Sequence, residues 1–239
     1  MKNLVKKAIR RLGYDLRQYK PVSSESAQLM TILKHHGVNI VFDVGANTGG
    51  FGRYLRSIGY AGNIVSFEPM KAAHDALVAA TKHDRFWRAA TRSAIGAEDG
   101  EIEMHIAANS ESSSILDMLD AHSAAAPESI YIGVEKVPLR KLDTLAAEFM
   151  EDDSVLFVKV DTQGYEEQVL LGAANTISRA TVLQLELSLV NLYAGQKLMP
   201  EMLDNLKMMG FDLWGMVPVF ADPRNGRILQ MDGVFCRTL

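Results

Sequence analysis

Apolar and polar residues change their period along this chain, and each change marks an element. Ile40–Asp43, Ile64–Glu68, Val155–Asp161 and Val182–Leu187 are short, nearly continuous apolar runs, the pattern of strands buried on both faces. Phe86–Ala90, continuing to Ala94-Ile95-Gly96, reads as a further strand and its exit. Between these runs apolar residues recur at helical spacing, which predicts helices over Phe51–Ile58, Ala72–Thr81, Tyr165–Leu171 and Pro200–Met209. Phe211–Val219 and Gln230–Arg237 flank a turn around Asp222-Pro223-Arg224-Asn225-Gly226, and two strands so joined are most simply antiparallel. Five strands alternating with helices plus a closing pair describe an α/β, Rossmann-like fold. Its sheet is seven-stranded and mostly parallel, with helices on both faces.

Two stretches depart from that alternation. Leu4, Val5, Ala8, Ile9, Leu12 and Leu16 repeat at helical spacing with basic residues between them, so residues 1–20 read as a basic amphipathic helix. Such a helix either docks on the domain or makes peripheral contact with an anionic membrane. Pro21 and Ser23-Ser24-Glu25-Ser26 break it, and Ser24 or Ser26 suits the cap of a helix running to His35-His36-Gly37. The second departure is Glu101–Ala107 and Val134–Leu139, which alternate polar and apolar residues around a polar, alanine-rich middle. They predict a hairpin-like flap over about 100–140, set into a single domain of residues 21–239. Its histidines, His105 and His122, read as solvated.

Composition changes this picture little. The chain has 239 residues, 48% hydrophobic and 23% charged, enough for one sizeable core. A single cysteine, Cys236, excludes an internal disulfide framework and a multi-cysteine zinc site. No apolar run reaches bilayer-spanning length and the N-terminus lacks a signal-peptide core, so a cytoplasmic location is expected, with peripheral contact at the inner membrane face as the variant. Charge is more telling. The net −4 divides into seven Lys/Arg against Asp15 alone in residues 1–20, and 18 basic against 28 acidic residues beyond them. A body that acidic is a poor nucleic-acid binder.

The candidate chemistry gathers at strand ends. Asp43-Val44-Gly45-Ala46-Asn47-Thr48-Gly49-Gly50 joins the first strand to a helix through the glycine-rich turn of nucleotide-binding α/β sheets. Gly45 and Gly49 allow a tight turn and close approach to a ligand. A carboxylate before the turn suits a ligand bearing an ammonium and repels a pyrophosphate, which points to S-adenosylmethionine. Glu68 follows Gly45 by 23 residues, about the offset of the acid that binds ribose hydroxyls. Asp161 and Glu186 lie at or near the ends of their own strands. Lys159 shares a face with Asp161 in a buried strand and needs a partner there, with Asp161 and Glu166 the candidates.

Several segments together resemble the FkbM-type S-adenosylmethionine-dependent methyltransferases over roughly residues 38–190. They are Phe42–Gly49, Phe67-Glu68-Pro69, Ala94-Ile95-Gly96, Leu142-Asp143-Thr144-Leu145, Lys159–Glu166 and Leu185-Glu186. The resemblance implies a class I methyltransferase fold and transfer to a hydroxyl oxygen of a sugar, polyketide or similar small-molecule or glycan acceptor. Many members of the family carry Glu where this chain has Gln163.

On that basis Asp43 is expected at the donor's amino end, directly or through water, with the Gly45–Gly49 backbone around the methionine and ribose portions. Asn47 is expected at its carboxylate, Glu68 at its ribose, and Ser93 and Ala94 beside its adenine. Asp161 is the candidate base. A carboxylate with an ordinary pKa is a weak base, so this role calls for burial beside Glu186, or for a divalent ion held by the two. A buried Lys159–Asp161 pair that only orders the strand exit remains the alternative. Two other functions stay open: an NAD(P)-dependent oxidoreductase, although Asn47 stands where that fingerprint needs its middle glycine, and a binding protein that keeps the fold without the chemistry.

Overall fold

The computed structural model describes residues 2–238, and side chains from residue 6 onward except that of Ala8. The central strand is β1 (Ile40–Val44), all five residues of which are buried. It pairs in parallel with β2 (Asn63–Phe67) on one side and β7 (Leu156–Val160) on the other. Beyond β2 lies β3 (Trp87–Ala89), and beyond β7 lies β8 (Ala180–Ser188), both parallel. β10 (Ile228–Arg237) runs antiparallel to β8, and β9 (Phe211–Ala221) antiparallel to β10 at the edge. The order β3-β2-β1-β7-β8-β10-β9 makes a seven-stranded sheet in which β10 runs against the other strands.

Strict alternation of side chains across so buried a sheet makes two cores. Phe42, Val158 and Leu183 face Leu142, Val169, Ile177 and Leu206, contributed by α6 (Leu142–Ala146), α7 (Glu166–Leu171), α8 (Ala174–Arg179) and α9 (Met199–Met208). Val41, Phe157 and Val182 face Leu29, Leu33, Leu55 and Leu77, from α2 (Glu25–His36), α3 (Gly50–Ser57) and α4 (Lys71–Thr81). The α2 helix is bounded as its sequence demands. Ser24 Oγ accepts the Ala27 N–H at 3.3 Å, and Gly37 ends the helix in the left-handed region.

Three expectations need correction. Ala94-Ile95 does not continue the third strand but forms β4 of a separate three-stranded sheet, ordered β4-β6-β5. In that sheet β5 (Gly100–Ala107) and β6 (Tyr131–Arg140) pair antiparallel, with α5 (Asp120–Ala125) between them in sequence. His122 is buried, its Nδ1 3.0 Å from Ser129 Oγ and its ring packed near Tyr193 and Phe220, so it is not solvated. The first helix, α1, spans only Lys2–Arg11. Gly13 adopts φ +83° just beyond it, which stops the helix short of Leu16. No helix among the described residues is long and apolar enough to cross a membrane.

Candidate functional site

The carboxyl ends of β1, β2, β7 and β8 open into one cavity of about 570 Å³, a usual size for a small-ligand cleft. Part of its wall is the β1–α3 turn, Glu68 and Ser93–Ile95. Another part is Lys159, Asp161, Gln163 and Glu186, with Asp232 from β10. Phe51 and Tyr54 of α3 also line it.

Backbone hydrogen bonds fix the turn. The N–H groups of Gly45 and Ala46 both donate to the Phe67 carbonyl at 3.0 Å, and Asp161 N–H donates to the Val44 carbonyl at 3.0 Å. Gly45 sits at φ +81°, and a Cβ there would fall 1.8 Å from the Asp161 carbonyl oxygen. The missing side chain thus lets β1 and β7 approach each other; the constraint comes from the protein before any ligand. Gly49 likewise packs on Trp87 and is not part of the cavity wall.

Glu68 is 5% exposed and accepts two backbone donors, Asn47 N–H on Oε2 and Met70 N–H on Oε1, each at 2.8 Å. Burial raises its pKa to about 7 against the pull of those two bonds. Asn47 stands at φ +48° and gives its side-chain NH2 to Ser110 Oγ at 3.3 Å, while its Oδ1 is buried with no partner. Such an orphaned acceptor asks for a donor from a ligand. It suits an ammonium or hydroxyl; the carboxylate expected at Asn47 would need the NH2 instead. Ser93 and Ala94 are buried at the wall, with Ser93 Oγ donating to the Thr91 carbonyl at 3.2 Å.

Asp43 is not brought to the cavity. Its side chain is fully enclosed, Oδ2 accepting from Ser66 Oγ at 3.3 Å and Oδ1 lying 3.8 Å from Lys159 Nζ without a hydrogen bond. Burial pushes its pKa up against the Lys159 charge. Lys159 is the hub of this end of the site. Its Nζ donates to Asp161 Oδ2 at 3.0 Å and stands 5.1 Å from the centre of the Phe51 ring. Burial opposes its charge, but Asp161, Asp43 and Asp232 outweigh burial and hold the ammonium above the ordinary lysine range. Glu166, the other expected partner, turns away. It accepts from the Thr162 and Gly164 N–H groups and from Thr162 Oγ1, tying the β7–α7 turn.

Between the two candidate catalytic carboxylates stands Gln163. Its Nε2 donates to Asp161 Oδ1 at 2.9 Å and to Glu186 Oε2 at 3.0 Å. Its Oε1 accepts from Tyr193 at 2.8 Å, and its carbonyl from Ser114 Oγ at 2.7 Å. This fully tied residue holds φ +53°. Burial pushes the Glu186 pKa well up, and Asp161, Glu166 and Asp232 add to the rise. Asp232 sits directly opposite Glu186 in the β8–β10 ladder and accepts Gln184 Nε2 at 2.8 Å; burial, then Asp161, raises it to about 6. No group of three or more His, Cys, Asp or Glu among the described residues is arranged to hold a metal ion. With an amide between Asp161 and Glu186, the pair does not fit a divalent ion held by both.

Asp232, Gln163 and Tyr193 were not singled out as functional from the sequence. The signal for Gln163 was present, in a motif position beside Asp161. Tyr193 and Asp232 carry none: the pairing of β8 with β10 brings in Asp232, and Tyr193 comes from the irregular segment after β8.

The family model described as the methyltransferase FkbM domain matches residues 43–213, which takes in Asp43, Glu68, Asp161, Gln163 and Glu186 and leaves Asp232 outside. No curated protein matches the chain significantly. Among solved structures, the chain is similar to magnesium protoporphyrin IX methyltransferase from Synechocystis PCC 6803 with bound SAM, at 12% identity and TM-score 0.47, over 89% of this chain and 78% of that one. It is also similar to precorrin-6y C5,15-methyltransferase from Geobacter metallireducens, at 13% identity and TM-score 0.45, over 89% and 87% of the two chains.

Proposed function

Because the chain belongs to the FkbM methyltransferase family, we propose that it is an S-adenosylmethionine-dependent O-methyltransferase acting on a hydroxyl of a sugar, glycan or other small metabolite. The observation that carries this reading is a pair of carboxylates, Asp161 and Glu186, bridged by one amide on the wall of the cavity that also holds the Gly45–Asn47 turn and Glu68.

The residues present fit the donor. Glu68 keeps a free lone pair on each oxygen, suited to the two ribose hydroxyls. The orphaned Asn47 Oδ1 suits the amino group, and Ser93 and Ala94 offer a small, buried flank to the adenine. When bound, the donor supplies an electrophilic methyl group on a sulfonium.

The chain's own work is to hold the acceptor and take its proton. Asp161 has both oxygens engaged, by Lys159 and by Gln163, and is held in one orientation facing the cavity. Glu186 engages only Oε2, and burial favours its protonated form. Ionised Glu186, a stronger base than an ordinary carboxylate because burial favours its protonated form, therefore receives the hydroxyl proton, with Asp161 orienting the hydroxyl. Lys159 stays charged, offsets the carboxylates and is not the base. Positioning alone contributes about 7–11 kcal/mol in the best cases.

Calorimetry with S-adenosylhomocysteine and with NAD tests the donor, and labelled methyl transfer to a panel of hydroxylated sugars and metabolites tests the acceptor. Binding of S-adenosylhomocysteine and a methyl located on oxygen are expected. NAD binding in its place, or a methyl on nitrogen or carbon, would overturn the reading.

A further inference from the structure

Every residue from Arg10 to Val22 is exposed, although the stretch is rich in large apolar groups. Leu12 is 75% exposed, Tyr14 72%, Tyr19 67% and Val22 94%, and Leu16 is exposed with them. Single apolar residues at a surface are ordinary; five exposed within eleven positions concentrate apolar surface on one short segment, which points to an interaction site.

The residues around them are basic. Lys6, Lys7, Arg10, Arg11, Arg17 and Lys20 are all exposed. Asp15, the one acid of the first twenty residues, pairs with Arg10 and Arg17 at 3.1 and 3.3 Å. Lys6, Lys7, Arg11 and Lys20 make no ion pair among the described residues. The first twenty residues carry net +6 and the rest of the chain net −10, so an anionic surface attracts this segment and repels the remainder. That asymmetry selects an orientation as well as a partner. Leucine and tyrosine interleaved with lysine and arginine match the boundary between headgroups and acyl chains. A nucleic acid would use the charges and leave the apolar residues in water.

We infer that residues 6–22 anchor the protein to an anionic lipid surface, the basic side chains lying among headgroups and Leu12, Tyr14, Leu16 and Tyr19 entering the interface. The segment runs through Ser24 into α2, whose first residue, Glu25, lines the cavity. The anchor thus adjoins the cavity, within reach of an acceptor carried on the same membrane. Lipid binding itself does not depend on the methyl-transfer reading.

The test is co-sedimentation of the full chain with vesicles of mixed phosphatidylserine and phosphatidylcholine, against vesicles of phosphatidylcholine alone. Binding only to the serine-containing vesicles, weakened by salt, is expected. Lys6→Gln with Lys7→Gln should lower affinity about 25-fold, at roughly fivefold per basic residue removed. Tyr14→Ser with Leu16→Ser should lower it about tenfold or more through lost apolar burial. Both double variants should keep the thermal unfolding midpoint of the parent, since these side chains are exposed. Absence of binding, equal binding to neutral vesicles, or double variants that bind like the parent would overturn the inference. So would equal affinity for a DNA duplex, or concentration-dependent dimerisation that the Tyr14→Ser, Leu16→Ser chain loses.

Discussion

The phenol of Tyr193 donates to Oε1 of Gln163 at 2.8 Å, and that bond braces the end of the amide away from the carboxylates. The NH2 group at the other end faces Asp161 and Glu186. Tyr193→Phe keeps the fully buried ring and leaves the amide held from one end only. Turnover should fall about tenfold or more, stability by about 1 kcal/mol, and S-adenosylhomocysteine affinity should stay unchanged. Kinetics and calorimetry on the same preparation check this. Gln163→Glu should act differently, adding a third carboxylate in contact with the pair. Like charge raises the pKa of Glu186 further, so the limb of the kcat–pH profile that rises with pH should move to higher pH.

Asp161→Asn puts an NH2 group against a donor on one side or the other, Lys159 Nζ or Gln163 Nε2. Turnover should fall by about 10²–10⁴ while donor affinity persists, because Glu68 and the Gly45–Asn47 turn are untouched. The lost charged hydrogen bond should cost about 1–3 kcal/mol, read by denaturant unfolding. Unchanged turnover would remove Asp161 from the chemistry.

Buried acids at this site set the sign of the pH dependence of stability. Glu68 and Glu166 are raised from 4.5 to about 7, burial being the main cause in each. Between those values the folded state binds more protons than the unfolded one, so their contribution is complete below pH 4.5 and is lost as pH rises through about 7. Each contributes about 3 kcal/mol, at roughly 1.4 kcal/mol per pKa unit. Asp222, lowered to about 2 by Arg224, acts in the opposite sense but only in acid below its ordinary range. The unfolding midpoint of the ligand-free protein should therefore fall between about pH 5 and pH 8; a midpoint that rises across that window would contradict the assignment.

Gly45→Ala and Gly59→Ala separate backbone strain from close approach. Both residues have positive φ, but a Cβ at 45 meets the Asp161 carbonyl at 1.8 Å while one at 59 meets nothing within 4 Å. Gly59→Ala should cost about 1–2 kcal/mol. Gly45→Ala should cost more and also abolish turnover, as the Asp161 carbonyl is pushed aside. Equal stabilities of the two variants would show that the contact does not matter.

Much of the fold was legible in period and composition, because a sheet buried on both faces writes its strands as apolar runs. Acids at strand ends led to Glu68, Asp161 and Glu186, all of which line the cavity. Asp43 reads identically in sequence yet faces Lys159 inside the sheet, since alternation puts a side chain on a face without saying what covers it. Asp232 enters through a register, opposite Glu186 across an antiparallel pair, which no local spacing encodes. Ala94-Ile95 looked like a strand exit and instead pairs with Leu139 and Arg140, a partnership more than forty residues away in the chain.

The contact of Gly45 with the Asp161 carbonyl makes the donor turn and the exit of β7 one mechanical piece. On the proposed function, exchanging a spent donor for a fresh one is expected to leave the carboxylate pair where it was, so that readiness for the next acceptor would be a resting property of the protein.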